Sequence, residues 1–274
     1  YAMTGGVPSY LIRFAGKGPL KEKITAGFLN PQGFFFEEPG KLLKQELREM
    51  GNYNALLRGI ATGAERISGL AYKTGLETGL ISHLLKVLLK MGIVERETPV
   101  YETDQAGKKP VYAITDNLFA FWYRFIPPLL ELIQRRNSEK AWEYLKDEFG
   151  LYMENVFGEV CLQYLVRENA AGKLPFFFQK AGRLWGSDPR AGSSGKELIA
   201  LRDKTHGLFC GCLWKNEGKD ADVLNSLIAR AGEFRFARTW FMLFSKNPFS
   251  GSCKKLAARR KDVVLLTFKE MRSC

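Results

Sequence analysis

Histidine is almost absent from this sequence: His83 and His206 are the only two in 274 residues. A metal centre or catalytic triad built on imidazole has little to draw on, and neither histidine is given a catalytic role. Cysteine is scarce and scattered. Cys161, Cys210, Cys212, Cys253 and Cys274 form an odd set in a chain too large to need disulfide staples, so they read as reduced thiols. Cys210-Gly211-Cys212 has one residue between its sulfurs and no second pair nearby, which argues against zinc. No apolar run of about 18 residues occurs, and no charged-then-apolar leader opens the chain. The expectation is therefore a cytoplasmic protein with no membrane partner. A G-x-x-x-x-G-K-[ST] loop is also missing, and Gly5-Gly6 is followed by no Lys-Ser/Thr, so nothing here is expected to cradle ATP phosphates.

What is present is enough to fold. At 46% apolar and 13% aromatic, the chain can bury real cores, and its length predicts two or three compact units. The net charge of +12 is unevenly placed. From Phe176 to the end, 19 Lys/Arg stand against nine Asp/Glu, an excess of ten. A basic C-terminal part suits nucleic acid or another polyanion, against the alternative of lysines kept for solubility.

The stretch from Asn52 to Asp116 organises the rest. Tyr53, Leu56, Leu57, Ile60 and Ala61 recur at helical spacing, and a short second helix carries Ile67, Leu70 and Ala71 as far as the turn at Gly75. A third helix, about Glu77 to Met91, buries Ile81, Leu84, Leu85, Leu88 and Leu89 and ends at Gly92. Ile93 to Glu97 and Val111 to Ile114 read as strands, joined by a segment tipped by Gly107-Lys108-Lys109-Pro110. Three helices, a turn and a hairpin in that order predict a winged helix-turn-helix. Ser82, Lys86 and Lys90 on the third helix, with Lys108 and Lys109 on the wing, are the candidate DNA contacts. Yet Asn52 to Asn117 holds eight Lys/Arg against seven Asp/Glu, so the module also suits protein packing.

Before it, Tyr10 to Phe14, Leu20 to Leu29 and Pro39 to Met50 predict helices, the last starting at Glu37-Glu38-Pro39. After it, Asp116 to Ile126 predicts an aromatic helix that Pro127-Pro128 should break. Trp142 to Glu168 is long, helical and expected to be interrupted near Gly150. Then the period becomes extended. Phe176 to Gln179, Arg183 to Trp185, Glu197 to Leu201 and Leu208 to Trp214 read as four strands, with a turn at Asp188 to Gly195. A helix from Ala221 to Gly232, a strand from Thr239 to Phe244, a helix from Cys253 to Arg259 and a strand from Val263 to Thr267 complete an α/β layer with a mixed sheet.

The ordered set Thr4-Gly5-Gly6-Val7-Pro8-Ser9-Tyr10-Leu11, Glu38-Pro39, the predicted winged helix, Asp116 to Phe125, Gly182-Arg183-Leu184-Trp185 and Ser245-Lys246-Asn247-Pro248-Phe249 resembles the C-terminal part of archaeal-type AAA+ ATPases. That resemblance covers essentially the whole chain. It implies a helical lid remnant over 1–51, the winged helix over 52–117, a helical connector over 118–172 and a restriction-endonuclease-like α/β domain over 173–274. It also implies a parent that uses ATP and Mg²⁺, while this chain, lacking the phosphate loop, takes no cofactor and is expected to be silent as an ATPase.

Nucleases of that fold hold Mg²⁺ through a strand carboxylate and a Glu-x-Lys on the next strand, often with a helical Glu. By the resemblance, Glu159 is the helical acid and Glu197 the strand acid. The Glu-x-Lys position falls on Gly211-Cys212-Leu213, where carboxylate and ammonium are both gone. Glu159 and Glu197 are thus vestigial candidates, and no metal site is expected. The function that follows is a nucleic-acid-binding or regulatory effector half of an AAA+ ATPase. The alternatives are a metal-dependent nuclease with ligands displaced to Lys215 and Glu217, or an interaction module docking an ATPase domain that this stretch lacks.

Overall fold

The computed structural model describes residues 1–47, 50–101, 110–184, 197–215 and 218–272. They form two compact units: Tyr1–Thr98 with Lys109–Phe149, and Pro99–Lys108 with Gly150–Cys274.

The first unit begins with α1 (Pro8–Phe14), α2 (Leu20–Gly27) and α3 (Phe34–Glu46). Helix α3 starts earlier than expected, so Pro39 lies inside it and not at its head. Aromatic packing supplies the reason. Phe35 is buried at 2% exposure, stacks on Phe28 with centroids 4.9 Å apart, and meets Tyr10 and Phe14 edge-on. Holding Phe35 in that cluster outweighs the one ladder bond that proline cannot donate.

Next come α4 (Met50–Ala61), α5 (Ile67–Thr74) and α6 (Thr78–Lys90), then β1 (Val94–Glu97) and β2 (Val111–Ile114), paired antiparallel with Val94 opposite Ile114. Gly75 (φ +71°) ends α5 and Gly92 (φ +70°) follows α6, both in the left-handed region where a Cβ would be strained. The leucine stripe of α6 closes on Leu56, Leu57, Ile60 and Leu70 in one core.

The expected break at Pro127-Pro128 does not occur: α7 (Asn117–Gln134) runs through both prolines. Asp116 caps it firmly, its carboxylate accepting from the amides of Leu118 (2.8 Å) and Phe119 (3.1 Å). Beyond the prolines Leu129 and Ile133 are buried, and that burial sustains the helix past two missing donors. Two aromatic residues of α7 also tie into the unit by polar tips. Tyr123 Oη donates to Asn54 Oδ1 at 2.6 Å, and Trp122 Nε1 donates to the Phe36 carbonyl at 2.8 Å.

The next helix, α8 (Ser138–Ala170), is likewise continuous where an interruption near Gly150 was expected, and the division between the units falls within it. Beside Gly150 lies the flexible end of the Lys215 side chain. A Cβ at that position would lie 2.5 Å from Cε of Lys215.

The second unit is a five-stranded sheet in the order β3 (Lys180–Arg183), β4 (Glu197–Leu201), β5 (His206–Leu213), β6 (Arg238–Ser245), β7 (Val263–Thr267). The first two pairings are antiparallel and the last two parallel, with α9 (Asp220–Ala231) and α10 (Gly251–Ala258) as crossovers. A final turn of helix, α11 (Phe268–Met271), is held by a capping box of Thr267 and Glu270. The mixed sheet with helices is an α/β layer, as expected.

In place of the two strands expected over Phe176–Gln179 and Arg183–Trp185 stands the single strand β3. Phe178 is bonded instead by a side chain: its N–H donates to Asn169 Oδ1 (2.9 Å) and its carbonyl accepts from Asn169 Nδ2 (3.1 Å). Trp185 and the turn expected at Asp188–Gly195 lie outside the described residues, as does the tip of the expected wing.

Strand alternation sorts the sheet into two cores. Leu198, Ala200, Leu208, Cys210, Cys212, Met242 and Phe244 face Phe157, Cys161 and Leu165 of α8. Ile199, Leu201, Phe209, Phe241 and Leu243 face Leu224, Leu227 and Ala231 of α9 and Cys253 of α10. Among the described residues, no helix is long and apolar enough to cross a membrane.

Candidate nucleic-acid interface

On α6 the buried stripe leaves Ser82, Lys86 and Lys90 exposed together on the opposite side. Ser82 Oγ is occupied locally, donating to the Thr78 carbonyl at 2.8 Å. The lysines are therefore the only members of that trio with charge to offer. Lys108 and Lys109 lie outside the described residues.

The two candidate carboxylates are not brought together. Glu197 pairs directly with Gly211 across β4 and β5, and both belong to the α9 face of the sheet. There Glu197 forms an ion pair with Arg230 of α9, the two side chains being 22% and 25% exposed. Glu159 sits on α8, over the opposite face. It bonds Arg183 of β3, 2.9 Å from Nη2 to Oε1, and Arg183 shares its face with Leu198.

Gly211 is small for a packing reason. A Cβ there would approach Leu243 Cδ1 to 2.6 Å and Val223 Cγ1 to 3.5 Å, so α9 and β6 close over the position. Leu213, on the same side, packs into the α9 core, at the position to which the resemblance assigns the lysine of a Glu-x-Lys pair. Lys215 lies against Gly150 of α8 instead, and Glu217 is outside the described residues.

The residues present do not fit a Mg²⁺ centre. One strand carboxylate, already neutralised by an arginine, is too few oxygen ligands for a hard cation. Among the described residues, no three His, Cys, Asp or Glu side chains converge where a metal could be held. Cys161, Cys210 and Cys212 line the α8 core, where burial pushes their thiols up for Cys161 and Cys210; the Cys212 sulfur beside Cys161 adds to the effect.

Four polar or aromatic clusters have no local signature in the sequence. Arg230–Glu197 and Arg183–Glu159 join distant segments. Asp220, 1% exposed at the head of α9, accepts from the backbone N–H (2.7 Å) and hydroxyl (2.6 Å) of Ser250, and Ser250 Oγ in turn caps α10 at Cys253. This ties the two crossover helices together. The fourth is an aromatic cluster of Phe176, His206 and Trp240, where β5 and β6 begin.

Two comparisons with known proteins bear on these residues. Residues 122–224, from α7 to the middle of α9, match the family DUF234, described as archaea bacterial proteins of unknown function. The chain is also 31% identical over 224 residues to an uncharacterised protein of Methanocaldococcus jannaschii, which accounts for 81% of this chain and 48% of that protein. The chain thus spans about half the length of the curated relative it matches.

Proposed function

We propose that this chain is the nucleic-acid-binding or regulatory effector half of an AAA+ ATPase-like protein. On this reading α4, α5, α6 and the β1–β2 hairpin act as a winged helix, and the second unit is a restriction-endonuclease-like fold with no catalytic centre. The observation that carries the reading is the excess of ten positive charges after Phe176 on a small α/β layer. The placement of Glu197 opposite Gly211, turned to Arg230, supports the loss of nuclease chemistry. The test is fluorescence anisotropy of the full chain with labelled nucleic acid between about 50 and 200 mM salt. Affinity should fall steeply with salt, as counterion release requires. Absence of binding at the low-salt end would sink the reading.

A second reading has its own support. On the first unit Ile12 is 77% exposed and Tyr72 95%, with Leu11 at 40%. Such side chains suit the docking of an ATPase domain of the kind the resemblance implies. That domain supplied in trans should then co-elute with this chain at high salt.

A further inference from the structure

We propose that the end of the sheet where β5 and β6 begin binds unpaired bases of a single-stranded nucleic acid. Stacking would occur on the Phe176, His206 and Trp240 cluster, and Arg202 and Arg238 would hold the backbone. The proposal rests on the nucleic-acid reading above and gives it a site and a ligand class.

The register puts these groups in one row. His206 of β5 stands directly opposite Arg238 of β6, and on its other side the Arg202 N–H donates to the His206 carbonyl at 3.4 Å. Paired residues in adjacent strands project to the same face, so Arg238 flanks the imidazole on one side, while Arg202, one residue past the end of β4, adjoins His206 through the backbone on the other. With strands about 4.8 Å apart, the row is about 10 Å wide. Trp240, two residues after Arg238, shares that face. Its ring lies nearly parallel to His206 (16°, centroids 5.8 Å), and Phe176 closes on it at 5.0 Å.

The cluster caps the α8 core from outside and is only half-buried. A cap serving packing alone needs no imidazole at its outer position and no arginines beside it. Arg238 is exposed and has no carboxylate partner among the described residues. Arg202 has a long pairing of 3.6 Å to Asp203, both side chains being open to solvent. Two acids lie near: the exposed Asp203 carboxylate accepts from the backbone and hydroxyl of Thr205 and the backbone of His206 and stands 3.4 Å from His206 Nδ1, while Asp262, just before β7, is paired with Arg260. Aromatic faces beside arginines recognise bases that have left the stack, whereas a duplex keeps its base faces stacked and out of reach. The combination therefore selects single strands.

The experiment uses the full chain and four probes of equal length: oligothymidylate, oligouridylate, an abasic single strand and a duplex. Oligothymidylate or oligouridylate, or both, should bind about tenfold or more tightly than the abasic strand, since stacking is what the abasic strand lacks. The paired change Arg202→Ala/Arg238→Ala lies on exposed side chains and should leave the circular dichroism unchanged. It should weaken single-strand binding about tenfold or more and reduce the salt slope by about 0.7 for each phosphate no longer neutralised. His206→Ala should weaken oligothymidylate while sparing the abasic strand. Equal affinity for base-bearing and abasic strands, or an unchanged affinity in the arginine pair, overturns this site while leaving nucleic-acid binding intact. Failure of all four probes to bind removes the functional reading itself, and the site with it.

Discussion

Glu197 of β4 faces Gly211 of β5 across an antiparallel pair, and its carboxylate is held by Arg230 of α9. The ion pair joins sheet to helix, and on the proposed reading it occupies the place where a nuclease would need free oxygens. Arg230→Ala should therefore destabilise the second unit by about 1–3 kcal/mol, because it leaves a mostly buried carboxylate without its partner. Chemical denaturation reads this directly. Supercoiled plasmid with Mg²⁺ or Mn²⁺ should remain uncut by the unaltered chain, and nicking that Glu197→Ala abolishes would refute that part.

Gly211→Ala should cost about 1–3 kcal/mol by overpacking, its new methyl meeting Leu243 and Val223. A variant as stable as the parent would mean that α9 can move away from the sheet at little cost.

On the first unit, Lys86→Ala and Lys90→Ala should each change nucleic-acid affinity by less than about twofold. The charge excess lies after Phe176, and the stretch 52–117 is nearly neutral. Anisotropy titrations of the two variants check this. A drop of about one in the salt slope for either variant would transfer the footprint to α6.

Asp203 provides a pH signature. Bonds from the Thr205 hydroxyl, then its N–H, together with His206, draw its carboxyl down to about 2. A carboxyl held below its ordinary value stabilises the fold only while ionised, so this contribution is complete above about pH 4 and fades as pH falls towards 2. An NMR titration of the Thr205 amide should show a midpoint near 2, and Asp203→Asn should abolish it. A midpoint at the ordinary value near 4 would show that the turn is open in solution.

The thiols should be protected by folding. Burial raises Cys161 and Cys210 well above the ordinary range and Cys253 to about 11, and all three are inaccessible. Iodoacetamide at neutral pH should label none of them until denaturant is added, as mass spectrometry of the digested protein will tell. Labelling of Cys210 in the native state would reveal an opening of the α8 core.

The local part of this fold was legible because its signals are local. The leucine stripe of α6, Gly75 and Gly92 mark a helix and two ends within a few residues of one another. Pro127-Pro128 misled for the converse reason: the burial of Leu129 and Ile133 that carries α7 onward is a tertiary fact. Phe176–Gln179 has the composition of a strand, yet Asn169, on a different element, satisfies the Phe178 backbone. The candidate carboxylates show the same limit. Placing Glu159 and Glu197 on their elements needs only periodicity; putting them on opposite faces needs to know which face α8 covers. The arginines that neutralise them are 24 and 33 positions away, and no spacing rule reaches that far.

The continuity of α8 bears on how such a protein could exchange parts in evolution. A recombination joint after Gly172, at the change from helical to extended periodicity, would carry off Phe157, Cys161 and Leu165 with the preceding segment. The transplanted sheet would arrive with one apolar side bare, a surface that associates with whatever it meets. A joint at 149/150 keeps those side chains with the strands they cover; it costs the helical hydrogen bonds that span the cut and the packing of Val100 and Tyr101 on the α9 core. Exchangeable modules in this chain should therefore begin within a helix and not at the loop that follows it.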